Sequence, residues 1–188
     1  MYKEDMYMAQ YDARPGQGLA SAVMDMAFRR VRPAECDDAR AALASCGRDD
    51  WCAGPEGYPG CMLAEDIAAG RAWGLFDGQG LAAYGVLALE PDEEYPTVAG
   101  FETAGCSVIH RLYTAGRAQR RGLGARMVDE LAAQARAHGA RNVYVDMVAG
   151  IPGLEEFYVR CGFERLGAFE REIGHGDMAK FLLLSRGL

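Results

Sequence analysis

The sequence has no long apolar run, no surplus of basic residues and no cysteine or histidine spacing typical of a metal site. A transmembrane helix needs about 20 consecutive apolar residues, so no membrane partner is expected. The formal net charge is −7, whereas a general nucleic-acid binder would carry a basic surface, so no nucleic-acid partner is expected either. The amino terminus, MYKEDMYMAQ, is charged where a signal peptide would be apolar, and this favours a cytoplasmic protein.

The six cysteines form no C-x-x-C pair, and the sequence has three histidines. Zinc sites use four such ligands at characteristic short spacings, so no metal is predicted. Reduced, mostly buried thiols are the simplest interpretation of the cysteines, and a reactive thiol is the alternative.

What the chain does have is the composition of a globular domain. Of its 188 residues, 50% are hydrophobic and 25% are charged, which is enough to build a sizeable core. Residues 1–25 show no clear hydrophobic period, so they are assigned to an arm of unclear structure. A single domain is predicted over residues 26–188.

Hydrophobic periods and turn residues predict a mixed order of strands and helices after residue 26. The predicted order is a strand ended by Pro33, a helix at 37–46, a loop at 48–60, a helix at 61–69, a hairpin at 71–89, a strand at 108–114, a helix at 123–138, a strand at 142–148, a helix at 152–161 and a hairpin at 163–184. A strand, a helix and a buried strand in succession imply a right-handed crossover between parallel strands.

The stretch VIHRLYTAGRAQRRGLGA at residues 108–125 carries the strongest chemical signal. An apolar strand leads into a loop with glycines and arginines, and a helix follows. Glycines let the backbone approach a ligand closely, and the first N–H groups of a helix have no partner within it. Arg120 and Arg121 add full positive charges. The loop is therefore predicted to hold an anion such as a pyrophosphate.

Two nucleotide-binding motifs compete for this loop. A P-loop needs Lys and then Ser or Thr after its glycines, and none is present. A dinucleotide fingerprint needs Gly or Ala where Met127 stands, although Asp146 lies at a suitable distance for the ribose acid. The antiparallel hairpin predicted before the loop also weakens the dinucleotide hypothesis.

The stretch instead resembles the acetyl-CoA signature of the GNAT superfamily of N-acetyltransferases, Q/R-x-x-G-x-G/A, which here is Gln119-Arg-Arg-Gly122-Leu-Gly124. A second segment, FYVRCGF at residues 157–163, resembles the family's Tyr-x-x-x-Gly-Phe segment. The resemblance covers nearly the whole chain from residue 26. It implies an α/β (α+β) fold with a mixed, mostly antiparallel central sheet flanked by helices. In that fold a parallel fourth and fifth strand splay apart at the active site.

The resemblance also implies roles for individual residues. The backbone of the loop would hold the pyrophosphate of acetyl-CoA. The backbone of the fourth strand, where the family's strand bulges, would pair with the pantetheine arm and polarise the thioester carbonyl. The implied cofactor-binding residues are Leu112, Tyr113, Thr114, Gln119, Arg120, Arg121, Gly122, Leu123, Gly124 and Ala125.

Tyr158 matches the position of the family's general acid, which protonates the departing thiolate. A core aromatic with a satisfied hydroxyl is the alternative interpretation. The resemblance does not assign the base, because Val108 stands where some relatives carry Glu, and Ile151 stands where many carry Asn. His110, Glu102 and a water chain are the candidates, and an imidazole titrates near neutrality.

These features predict an acetyl-CoA-dependent N-acetyltransferase that acts on a primary amine by direct attack through a tetrahedral intermediate. The acids in EPDEEYP at residues 90–96 favour a small cationic acceptor, and a solvated acidic loop is the alternative. An amino terminus is a further candidate acceptor. The competing hypothesis is a CoA-binding regulatory or interaction module without turnover. A homodimer is compatible with the family, and the sequence does not fix the oligomeric state.

Overall fold

The computed structural model describes residues 26–48, 51–173 and 176–188. Within these residues the chain forms seven β-strands and four α-helices. The strands are β1 (Ala27–Arg30), β2 (Ala72–Asp77), β3 (Gly80–Ala88), β4 (Cys106–Thr114), β5 (Asn142–Val148), β6 (Glu164–Glu172) and β7 (Met178–Gly187). The helices are α1 (Cys36–Ala44), α2 (Leu63–Ala68), α3 (Leu123–Ala137) and α4 (Leu154–Arg160). The arm predicted over residues 1–25 lies outside the described residues.

The strands form a mixed sheet in the order β1-β2-β3-β4-β5-β7-β6. β2 pairs antiparallel with β1 and β3, and β7 pairs antiparallel with β5 and β6, whereas β4 and β5 run parallel. Parallel neighbours need a crossover connection, and α3 supplies it. The predicted fold class is therefore confirmed.

Helix α3 shows why hydrophobic period predicts these elements well. It carries an apolar stripe that is almost fully buried, formed by Leu123, Met127, Leu131 and Ala135. The helix ends before Gly139, whose φ of +85° is the left-handed conformation typical of the residue after a helix. In the described parts of the chain, no helix combines the length and the apolar character needed to cross a membrane.

Most element boundaries differ from the prediction by one to three residues, and two of them show a physical reason. A 3₁₀ turn at Gly60–Met62 precedes α2, so the α-helix itself begins at Leu63 rather than at Cys61. Strand β4 begins at Cys106, two residues before the predicted start, because Cys106 and Ser107 already pair with β5.

The described residues divide into two compact units. The N-terminal unit comprises residues 26–87 and Arg111–Leu131, and its core includes Leu43, Leu63, Ile67, Tyr84, Val86 and Tyr113. The C-terminal unit comprises Ala88–His110 and Ala132–Leu188, and its core includes Tyr95, Val98, Val108, Tyr144, Phe169 and Leu183. Each large apolar side chain buried in this way contributes about 1.5–3 kcal/mol to folding.

The parallel pairing of β4 and β5 covers four residues of each strand. It runs from Cys106, which pairs with Asn142, to Ile109, which pairs with Val145. The next residues along the two strands are His110 and Asp146. These two side chains therefore lie at the first positions where the parallel pair opens.

Candidate active site

The glycine loop (residues 119–125) joins a 3₁₀ turn at Gly116–Ala118 to α3 in the N-terminal unit. Arg120 and Gly122 have φ values of +58° and +74°, so the chain passes twice through the left-handed region. The first backbone bond into the helix runs from Arg126 N to Gly122 O at 3.1 Å. Among the described residues, the amides of residues 123–125 make no backbone bond, so they can donate to an anion.

Gln119 attaches this loop to the end of α1. Its Nε2 donates to Cys46 O at 2.6 Å and to Thr114 O at 3.3 Å. The nearby Gly116 N donates to Ser45 Oγ at 3.0 Å, and a Cβ on Gly116 would clash with Ser45 O. The predicted cofactor residue Gln119 therefore fixes the shape of the loop, and a pre-shaped loop binds a ligand at lower entropic cost.

The arginines of this region differ in their pairing. Arg117 donates to both carboxylate oxygens of Asp77, at 2.7 and 3.0 Å, and Arg121 Nη1 lies 3.9 Å from the same carboxylate. The hydrogen bond from Arg117 holds the pKa of Asp77 below its usual value. Arg120 is exposed and forms no ion pair with any described residue. Its charge is therefore the one most available to an anionic ligand.

Strand β4 departs from strand geometry at Arg111, which has a φ of +51°. The predicted residues Leu112, Tyr113 and Thr114 follow this turn directly. The Tyr113 hydroxyl donates to Ala39 O at 2.9 Å, and its ring stacks on Tyr84 with centroids 4.8 Å apart. The resemblance implies a bulge around residues 112–114, and the left-handed turn lies immediately before them.

In the C-terminal unit, His110 lies between two carboxylates. Its Nε2 is 3.6 Å from Asp92 Oδ1, and its Nδ1 is 3.8 Å from Asp146 Oδ1. The imidazole is 10% exposed, so solvent screens these interactions only partly. Two neighbouring carboxylates stabilise the positive charge that the ring gains when it accepts a proton.

Arg171 on β6 binds the same carboxylates. Its guanidinium donates to Asp92 at 2.7 Å, to Asp146 at 2.9 Å and to both oxygens of Glu94 at 2.9 Å. Burial lowers the pKa of Arg171, but the hydrogen bonds and negative charges of these acids outweigh burial, so its pKa lies above the usual value. With His110 neutral, the cluster of three carboxylates and the guanidinium of Arg171 carries a net charge of −2. An open cleft beside this cluster is lined by Pro91, Asp92, Glu93, Glu94 and Arg171.

Glu102, the other predicted base, has its observed contacts with Asn142 and Tyr144 rather than with His110. Its Oε2 accepts from Asn142 Nδ2 at 3.3 Å, and its backbone N donates to Tyr144 OH at 3.2 Å. Asn142 begins β5, and Asp146 lies four residues later, about 13 Å along the strand. Glu102 therefore contacts the beginning of β5, whereas His110 is placed beside its later part.

Tyr158 lies on α4 and is 6% exposed. Its ring makes edge contacts with Phe157 and Phe163, with centroids 5.0 and 5.6 Å apart. The helix begins after Gly153, whose φ of +74° turns the chain into it. These aromatic contacts restrict the orientation of the Tyr158 ring.

The mixed sheet with a parallel β4–β5 pair is the fold that the sequence resemblance implies. The chain belongs to the acetyltransferase (GNAT) family, whose sequence profile matches residues 36–163. The family that the two sequence motifs resemble is thus confirmed, and the protein is an acetyltransferase. Members of this family normally use acetyl-CoA.

Solved structures of GNAT acetyltransferases share this fold at low sequence identity. An acetyltransferase from Listeria monocytogenes aligns with a TM-score of 0.66 and 16% identity over 87% of this chain and 95% of its own. One from Streptococcus agalactiae aligns with a TM-score of 0.65 and 21% identity over 87% and 95%. The ribosomal-protein-S18-alanine N-acetyltransferase from Escherichia coli aligns with a TM-score of 0.59 and 12% identity over 86% and 93%. No curated protein matches the sequence.

The observed charged contacts of Asp146 and Asp66 were not predicted from the sequence. Asp146 stands in the otherwise apolar strand NVYVDMV, and Asp66 lies on the buried face of α2 between Leu63 and Ile67. An acid among apolar residues is a usable signal, because a buried carboxylate needs a partner. The partners, however, lie 25 residues away for Asp146 and 45 residues away for Asp66. The local sequence does not identify partners at such separations.

Proposed function

We propose that the protein is an N-acetyltransferase that moves the acetyl group of acetyl-CoA to a small cationic primary amine by direct attack. The observation that carries this proposal is the position of His110 beside Asp146, immediately after the pairing of β4 and β5 ends. A titratable group whose partners are fixed is suited to remove a proton from an incoming ammonium. The acceptor's charge follows from the acids around it.

The glycine loop has the chemistry needed to bind acetyl-CoA. The amides of residues 123–125 and the guanidinium of Arg120 offer donors to a pyrophosphate. A Cβ on Gly122 would have no atom within 4 Å, so a ligand can approach the backbone there. Bound acetyl-CoA supplies the activated acetyl group. The backbone of residues 112–114, which follows the left-handed turn, pairs with the pantetheine arm and polarises the thioester carbonyl.

His110 and Tyr158 divide the proton transfers. His110 accepts a proton from the amine, directly or through a water molecule, and Asp92 and Asp146 stabilise the resulting imidazolium. The Tyr158 hydroxyl donates a proton to the departing thiolate. Glu102 is less suited to act as the base, because it contacts Asn142 and Tyr144 instead.

The charge of the acceptor is inferred from the open cleft beside Arg171. Arg171 neutralises one of the three acids that it binds, and the exposed Glu93 adds a further negative charge to the lining. A surface with a net negative charge raises the local concentration of cationic ligands. A cationic amine is therefore the preferred acceptor, and an amino terminus is the alternative.

The test is release of free thiol from acetyl-CoA with a panel of cationic, neutral and anionic amines. We expect turnover to favour diamines and polyamines and to weaken as ionic strength rises. Equal or faster turnover of anionic amino acids would contradict a cationic acceptor. Absence of thiol release with every amine, together with a thermal shift on binding acetyl-CoA, would favour the binding module without turnover.

Two variants with the same change in charge distinguish the effect of the cleft on amine binding from the effect of the protein's net charge. Glu93→Gln removes a negative charge from the cleft, and Glu164→Gln removes one from an exposed position on β6. We expect Glu93→Gln to raise KM for a diamine about twofold to fivefold and Glu164→Gln to leave it unchanged. Equal effects would attribute the preference to net charge alone.

A further inference from the structure

The left-handed turn in β4 is formed by a residue that does not favour it. Arg111 has a φ of +51°, although its Cβ crowds the backbone in this conformation. A glycine would adopt the same conformation without that penalty. Some other contact must therefore hold the backbone of Arg111 in place.

Asp66 provides this contact. It lies on the inward face of α2 with Leu63 and Ile67, and it is 0% exposed. Its two carboxylate oxygens accept from Nε and Nη2 of Arg111 at 2.7 and 2.9 Å. A two-point contact of this kind fixes both the position and the orientation of a guanidinium. Arg71 Nη2 makes a weaker approach to the same carboxylate at 3.2 Å.

The residues that follow the turn are held by other contacts. Tyr113 is fixed by its hydrogen bond to Ala39 O and by its stacking on Tyr84. The Leu112 side chain lies against Gly85, where a Cβ would be 3.4 Å from Leu112 Cδ1. Neither contact acts on the backbone of Arg111. Tyr58 also forms a hydrogen bond with the Arg111 side chain, but Tyr58 is half exposed. The ion pair with Asp66 is buried and is therefore the contact best suited to stabilise the turn.

We propose that Asp66 is a positioning residue for acetyl transfer, which holds Arg111 in the left-handed conformation and so directs the backbone of residues 112–114 towards the thioester. This inference rests on the proposed function, because the role of residues 112–114 belongs to it. Asp66 does not touch the reacting atoms. Without its carboxylate, Arg111 relaxes towards an ordinary strand conformation and the backbone groups after it turn away.

The test compares two double variants that both lack the ion pair, Asp66→Asn with Arg111→Gly and Asp66→Asn with Arg111→Ala. Both remove the guanidinium and the carboxylate, and they differ only in the backbone freedom of residue 111. We expect the glycine variant to retain kcat for thiol release within about threefold of the wild type. We expect the alanine variant to lose about tenfold or more, because its Cβ disfavours a positive φ.

A direct readout accompanies the rate. Crystal structures of the two double variants should show a positive φ at residue 111 with glycine and a negative φ with alanine. A stable fold with equal rates and equal φ values in both variants would overturn the proposal. KM for acetyl-CoA should change less than kcat, because the glycine loop that binds the pyrophosphate is intact.

The single variants Arg111→Gly and Arg111→Ala cover the case in which the double variants do not fold. In both, Asp66 keeps its contact with Arg71, and glycine should again be the faster enzyme by about tenfold. Equal rates in these two variants would also overturn the proposal. The proposed function fails separately if wild-type protein releases no thiol with any amine. The role of Asp66 is then still tested by the crystal structure of Asp66→Asn with Arg111 intact, in which residue 111 should lose its positive φ; an unchanged φ there would overturn the proposal.

Discussion

The imidazole of His110 and the carboxylate of Asp146 lie side by side, with Nδ1 3.8 Å from Oδ1. Their proximity follows from the strand register, because Ile109 is paired with Val145 and the two side chains are the next along each strand. The same carboxylate accepts a hydrogen bond from Arg171 at 2.9 Å. Asp146 is thus held by β6 while it faces the histidine on β4.

Replacement of the histidine tests its role as the base. His110→Gln removes the proton acceptor but keeps a side chain of similar length, so we expect kcat to fall about 100-fold. The acidic limb in the pH profile of kcat/KM for the amine should disappear or move, since it reports the protonation of the free enzyme. KM for acetyl-CoA should be unchanged. An unaltered acidic limb would assign the base to another group or to a water chain.

Tyr158→Phe tests the proposed acid. Phenylalanine keeps the edge contacts with Phe157 and Phe163, so the melting temperature should change little. We expect kcat to fall about 100-fold, because the thiolate then leaves without a proton donor. The measurement is steady-state thiol release from pH 6 to about 9.5, below the ordinary pKa of a phenol near 10. Full turnover across this range would leave Tyr158 as a core aromatic.

Much of the fold was predictable because its signals are local. The apolar stripe of α3 and the glycine after it are read within 17 residues of sequence, and both are found where the pattern places them. The parallel β4 and β5 follow from the strand, helix, strand order. The family was predictable for a similar reason, since its motif lies in one loop.

The details of the site depend on partners that are distant in the sequence. Arg171 reaches Asp92 across 79 residues, and Arg111 reaches Asp66 across 45. The sequence around Arg111 gives no reason to expect a positive φ, because arginine disfavours it and the stabilising carboxylate belongs to another element. The acidic segment is open to two interpretations from the sequence, and its ion pairs with Arg171 cannot be read there because Arg171 is more than 70 residues away.

Acid should weaken the beginning of α1 through Glu35. Its carboxylate accepts from Arg29 at 2.8 and 2.9 Å and from Arg32 at 2.6 Å, and these hydrogen bonds hold its pKa well below the usual value. A depressed pKa stabilises the folded state fully above the usual carboxyl pKa, and this contribution is lost progressively as pH falls from that value towards the folded-state value. We expect Glu35→Gln to lose about 1–3 kcal/mol of stability at pH 7.

The stability difference between wild type and Glu35→Gln should narrow as thermal unfolding is repeated from pH 7 down to pH 3. Glu65→Gln is the matched control, because Glu65 is 65% exposed and its pair with Arg71 lies at the surface. We expect it to change the melting temperature little at any pH. A constant difference for Glu35→Gln across this range would show that its charge is not what stabilises the helix start.

The glycine loop can be tested with two glycines that share one backbone conformation. Gly122 and Gly139 have φ values of +74° and +85°, and a Cβ on either would have no atom within 4 Å. Alanine at each position therefore introduces similar strain, about 1 kcal/mol, without a clash. The two glycines differ in position, since Gly122 precedes the first turn of α3 and Gly139 follows its last turn.

We expect Gly122→Ala to raise KM for acetyl-CoA about tenfold, because the strained loop misdirects the amides that bind pyrophosphate. Gly139→Ala should lower the melting temperature by a similar amount and leave KM unchanged. KM for acetyl-CoA and thermal unfolding are measured for both variants. Equal KM values would show that this loop does not bind the pyrophosphate of acetyl-CoA.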